Sequence, residues 1–167
     1  MDTIDTTMTD RLAAAGPHPK HRAALATYGQ LVGVWDVDNR WRRDGGWEQG
    51  TVVWTFGWII DGLGIQDVMR FRFPDGSTPT GTTVRLYDPA DDLWHVVWFP
   101  ASGKTCTLTG RPDAEGIMQE GTQPDGRRIR WTFREMTGDS FHWSGYVSTD
   151  GGQTWELEQE MFARRSA

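Results

Sequence analysis

The chain has 167 residues, a formal net charge of −6, ten Trp, twenty Gly and one Cys, which suits a single soluble domain with a real core. Arg residues scattered between carboxylates give no basic face for nucleic acid, and no apolar run reaches the roughly 18 residues that a membrane helix needs. One Cys excludes an internal disulfide and a Cys-based zinc site.

Residues 1–18 are polar and end at Gly16-Pro17-His18-Pro19, which reads as a flexible N-terminal arm. Asp2, Asp5 and Asp10 without an apolar segment do not resemble a secretory signal, so a reduced, cytoplasmic setting is the expectation. Residues 19–167 read as one domain. In it, Lys20 to Leu31 places Ala24, Leu25, Tyr28 and Leu31 on one side of a short amphipathic helix, suited to capping one end of a barrel.

After Gly33 the period changes to two. Trp35, Val37, Asn39 and Trp41 alternate with Asp36, Asp38, Arg40 and Arg42, which puts the Trp row inside and the charges in water. Asp44-Gly45-Gly46 reads as a hairpin turn. The return run carries Val52, Trp54, Phe56 and Trp58 on one face, and after Asp61-Gly62 the residues Ile65, Met69, Phe71 and Phe73 repeat the pattern. Further strands are expected over 82–87, 93–99, 104–110, 116–122, 128–134, 140–148 and 154–164, separated by turns such as Pro124-Asp125-Gly126. The last strand reads Trp155, Leu157, Gln159 and Met161 inward, with Glu156, Glu158 and Glu160 outward. About ten short strands linked by hairpins fit an all-β meander. Closure into an antiparallel barrel removes two aggregation-prone edges.

Leu31-Val32-Gly33-Val34-Trp35 resembles the glycine-x-tryptophan opening of calycin barrels, the group of lipocalins, fatty-acid-binding proteins and nitrobindin-like proteins. The order of Gly-x-Trp, an Asp-Gly turn after a Trp-rich strand, Arg85-Leu86-Tyr87-Asp88 and a final Asp-Gly-Gly-x-Thr-Trp hairpin is similar to a bacterial branch of lipocalin-like proteins, across residues 31–165. The resemblance implies that Trp35 plugs one end and that Arg164 or Arg165 stacks over it. Haem-binding relatives use a His near the C-terminus. The run from Trp155 to Arg164 has none, so the resemblance does not extend to haem, and no cofactor is expected. Ser148 to Trp155 also matches the Asp-box pattern, for which a single copy implies a tied-down turn rather than a site.

Four polar residues fall on inward rows: Asn39, Glu48, Asp67 and Gln159. Glu48 lies near a strand start, at the barrel mouth. A buried carboxylate needs a cation or donors, so Asp67 calls for a partner, and Arg85 is the candidate, although Val84 and Leu86 leave its facing open. The functional expectation is an Asp67–Arg85 pair, helped by Asn39, Tyr87 and Gln159, that orients a ligand among Trp41, Trp54, Trp98, Trp131 and Trp143. The competing reading is a network that only satisfies the interior. His95 and His142 fall on outward rows, His18 and His21 are expected in water, and Cys106 shares an inward row with Leu108. No metal constellation and no Gly-x-Ser-x-Gly nucleophile motif is present in the sequence.

Binding of a small apolar or aromatic molecule with one polar handle is therefore the leading expectation. An enzyme that needs no cofactor (cyclase, isomerase, hydratase or lyase) would use the same pocket with Asp67 as acid–base. A filled, structural barrel is the third reading. Outward positions of Val68, Val97 and Phe99 leave a homodimer open without demanding one.

Overall fold

Gly33 opens the first of ten consecutive antiparallel strands that close on themselves in the computed structural model, which describes residues 7–167. Residues 1–6, including Asp2 and Asp5 of the expected arm, lie outside the described residues. The strands are β1 (Gly33–Arg43), β2 (Gly46–Ile59), β3 (Gly64–Arg72), β4 (Thr80–Asp88), β5 (Leu93–Pro100), β6 (Cys106–Asp113), β7 (Gly116–Thr122), β8 (Arg128–Arg134), β9 (Ser140–Ser148) and β10 (Glu156–Arg165). Each pairs with its chain neighbour, and β1 pairs with β10 from Trp35↔Arg165 to Trp41↔Gln159. That last seam leaves no edge strand.

Alternation drives the fold. Trp35, Val37 and Asn39 are buried while Asp36 and Asp38 are exposed, and the same period runs through Val52, Trp54 and Phe56 in β2. Asp44 and Gly45 both take positive φ (49° and 80°), the combination that lets a two-residue hairpin follow the strand twist.

Two short helices precede the barrel. In α1 (Met8–Leu12), the Thr7 hydroxyl accepts from Asp10 N–H while the Asp10 carboxylate takes Thr7 N–H, a capping box. The chain then joins the barrel rim: Ala14 N–H donates to Trp58 O and His18 N–H to Gly62 O. A single 3-10 turn (Pro19–His21) leads into α2 (Arg22–Gly29), shorter than the run expected from the sequence. Leu25 and Tyr28 of α2 are fully buried and plug one end of the barrel. The Tyr28 ring meets Trp94 edge-on at 4.7 Å, and its hydroxyl donates to Gln119 Oε1 at 3.0 Å. Gly110 makes room for it, because a Cβ there would stand 2.2 Å from the Tyr28 oxygen.

At the same end Arg165 lies over Trp35, 4.2 Å from the ring centroid, and donates to the carbonyls of Val32, Gln30 and Gly138. The Trp35 indole N–H donates to Leu31 O at 2.7 Å. Of the two candidates named from the sequence, Arg165 makes this contact, whereas Arg164 points outward to Asp38.

One inward row needs correction. A bulge between Leu157 and Gln159 inserts a residue into β10, which reverses the facing of everything before it. Trp155 therefore does not line the interior. It lies outside, with Arg130 4.1 Å from its ring centroid. The turn ahead of it is tied as the Asp-box reading expects: Asp150 accepts from Ser148, Gln153 and Thr154. These donors, led by the Thr154 hydroxyl, hold its carboxyl well below the usual carboxylate range.

Candidate functional site

The end opposite α2 is open, and the interior narrows from there towards the plug. The mouth is a cleft of about 390 Å³ between Asn39, Trp41, Phe71, Phe73, Trp98 and the β5–β6 corner at Pro100–Ser102. Beneath it lies a chamber of about 70 Å³ walled by Trp54, Met69, Trp98, Trp131, Trp143 and Met161, with Thr83, Arg85 and Gln159 as its polar groups. Phe71, Trp98 and Gln159 belong to both, so the two volumes adjoin. The cleft falls in the size range of small-molecule sites, roughly 300–1,000 Å³. The chamber alone falls far below that range. The lower half is filled by Tyr28, Trp94, Phe133, Leu25 and Ile117, all within 1% of full burial.

The indoles leave the lumen open by lying against its wall. Trp98 crosses Gly81 of the neighbouring strand so closely that a Cβ on Gly81 would be 2.0 Å from its ring. Trp131 and Trp143 adjoin, with ring centroids 5.7 Å apart and planes tilted by 58°.

Asp67 and Arg85 form a buried ion pair at 2.6 Å, with side chains 0% and 1% exposed. Strand register brings them together: Asp67 stands opposite Thr83, two residues before Arg85 on the same inward face of β4. The other Asp67 oxygen accepts Thr83 N–H at 2.9 Å. Arg85 Nε donates to Gln119 Oε1 at 3.4 Å, and its guanidinium lies 5.3 to 5.9 Å from the centroids of Tyr28, Phe56 and Phe133. Asp67 is thus held behind Arg85 and does not line the chamber, whereas Arg85 does.

Burial pushes the Tyr28 phenol far above its ordinary range, although the nearby Arg85 charge opposes this. Burial likewise raises the Cys106 thiol, which suits a core position on the Leu108 row rather than a nucleophile.

The remaining residues named from the sequence separate by height. Trp54, Trp98, Trp131 and Trp143 surround the chamber, and Trp41 stands at the mouth beside Phe73, 5.1 Å away. Gln159 Nε2 donates to Asn39 Oδ1 at 2.8 Å across the β1–β10 seam. Tyr87 is not brought to this site. It packs on Trp94 at the plugged end, and its hydroxyl donates to Asp92 in the β4–β5 turn, which raises its pKa. Glu48 sits at the rim and pairs with Arg43.

His95 points outward to Asp88. His142 also faces outward, between Glu160 and Phe162, and Arg40 pairs with the same Glu160. His21 is half-buried against Tyr87 rather than free in water, because the 3-10 turn folds it onto the plugged end. Gln119, Thr83 and Tyr28 were not anticipated as partners of the ion pair. Gln119 had a usable signal, a polar residue two positions after Ile117 on an inward row. Among the described residues, no group of three or more His, Cys, Asp or Glu is placed to hold a metal, and no helix is long and apolar enough to cross a membrane.

No protein-family model and no curated protein matches the chain. Among solved structures it is similar to Rv2717c from M. tuberculosis, with a TM-score of 0.65 and 17% identity, over 87% of this chain and 98% of that one. A weaker likeness links it to a redesigned β-barrel, mFAP0, bound to DFHBI, with a TM-score of 0.44 and 16% identity over 81% and 99% of the two chains. At this identity the likeness to Rv2717c shows the barrel fold alone.

Proposed function

We propose that the barrel is a small-molecule binding protein whose open end takes a flat, largely apolar ligand with one polar handle. One observation carries this reading: an aromatic funnel about 390 Å³ at the mouth descends to a chamber whose polar floor includes a fully desolvated guanidinium. Gly81 supports the reading too, because any side chain there would push the Trp98 ring off the wall. The Trp35–Arg165 stack and the Gly33-Val34-Trp35 opening support kinship with lipocalin-like calycin barrels. The enzymatic alternative draws no support from Asp67, because both its oxygens are engaged and it lies out of reach of the chamber. Titration of Trp emission with small aromatic acids, fatty acids and phenols tests the reading. A saturable change with at least one class is expected, and a flat response to all of them favours the filled structural barrel.

A further inference from the structure

The polar atoms around the chamber are unevenly matched. Of the ten indoles, Trp35 alone donates its N–H to another described residue. Trp54, 2% exposed and part of the chamber wall, has a buried Nε1 with no partner. Trp98, Trp131 and Trp143, on the same wall, also leave their N–H groups unused among the described residues. Arg85 spends Nη1 on Asp67 and Nε on Gln119, which leaves Nη2 without a partner among the described residues. Acceptors are scarce by comparison. Both Asp67 oxygens are taken, Gln119 Oε1 receives two donors, and Asn39 Oδ1 receives Gln159. The Thr83 hydroxyl and Gln159 Oε1 are what remain on the wall. Buried donors are costly to leave unmade, so a complementary ligand brings acceptors.

The charge count then narrows the handle. The Arg85 charge is already offset by Asp67 at 2.6 Å, both of them buried, so the floor of the chamber is donor-rich yet neutral overall. Glu48 and Arg43 pair with each other at the rim, and Arg165 is at the plugged end. A carboxylate entering the chamber would find hydrogen-bond donors but no free cation, and its desolvation would go uncompensated. A carbonyl uses the same donors with a far smaller desolvation cost.

Building on the binding function proposed above, we infer that the ligand class is a neutral, flat acceptor, an aryl ketone, quinone or lactone, whose carbonyl oxygen meets Arg85 and Trp54.

A matched series measured by isothermal titration calorimetry near neutral pH tests this: acetophenone, benzoate, phenol and ethylbenzene, which share a ring and differ in the handle. Acetophenone is expected to bind tightest, by about tenfold or more over ethylbenzene, the worth of one or two hydrogen bonds, with benzoate weaker than acetophenone. In the paired variant Asp67→Leu/Arg85→Met, which removes donor and counter-charge together, the preference for acetophenone over ethylbenzene should shrink while ethylbenzene still binds. Tighter binding of benzoate or phenol than of acetophenone overturns the inference and leaves the binding function standing. Failure of all four compounds to bind overturns the inference, and overturns the binding function as well where Trp emission is also flat to fatty acids and to every other class named above. A preference that survives intact in a folded paired variant shows that Arg85 does not hold the carbonyl and overturns the inference.

Discussion

Replacing Arg85 alone with Met tests the ion pair most severely. The substitution keeps an unbranched side chain among Tyr28, Phe56 and Phe133, so packing is largely retained. What it removes is the 2.6 Å contact to Asp67, whose 0% exposed carboxylate then keeps only Thr83 N–H. An orphaned buried charge of this kind costs about 3–5 kcal/mol. At about 2–4 °C per kcal/mol for a chain of this size, the melting temperature should fall by roughly 6–20 °C. Asp67→Leu alone strands the guanidinium and should cost a similar amount. Asp67→Leu/Arg85→Met removes both charges and should recover most of the loss, because buried pairs are often neutral against apolar substitutes. Thermal and urea melts of the four proteins close the cycle, and a coupling energy of several kcal/mol is the expected result. Arg85→Met melting within about 2 °C of the unsubstituted protein would refute the reasoning, because a stranded buried carboxylate cannot be that cheap. A double variant as unstable as the sum of the singles would refute it equally.

Gly81→Leu should force Trp98 off the wall into the cleft, given the 2.0 Å approach; ligand affinity should drop by about tenfold or more, with a stability loss of about 1–3 kcal/mol from overpacking, read by calorimetry and melting. Tyr28 should be missing from the phenolate absorbance rise of a spectrophotometric titration until the fold is lost, since its folded pKa is raised above the ordinary 10.0. A raised pKa contributes stability that is complete below about pH 10 and is lost as pH climbs towards the folded value, so Tyr28→Phe should flatten the alkaline side of the stability profile. Asp150 behaves oppositely: its depressed pKa contributes stability above the ordinary carboxylate range that is lost as pH falls. The melting difference between Asp150→Ala and the unsubstituted protein should therefore shrink in acid. Arg165→Met should lose about 0.5–2 kcal/mol for the Trp35 cation–π contact, beyond which its three carbonyl contacts add to the measured shift.

Much of this architecture was legible because the two-residue period runs through hairpin-linked segments from Trp35 onwards, and because an open meander would leave two bare edges. The Asp67–Arg85 pair followed from the cost of a bare buried carboxylate. What alternation cannot report is a residue inserted into the count. The bulge after Leu157 left the Glu-x-Glu-x-Glu rhythm unbroken in sequence while turning Trp155 outward. Nor does alternation report height along the barrel axis. Arg85 and Tyr87 share a face, yet two residues of rise put one beside the chamber and the other at the plugged end. Gln119 escaped notice because its row ends in Gly121, which bears no side chain to mark the face.

The ten indole N–H signals in a nitrogen–proton correlation spectrum provide the most direct test of a ligand in the open end. Adding acetophenone should shift Trp54, Trp98, Trp131 and Trp143, which wall the chamber, and leave Trp35 at the plug and Trp155 outside unmoved. Chamber signals that stay fixed, or a response confined to Trp35 and Trp155, would contradict a ligand in the lumen.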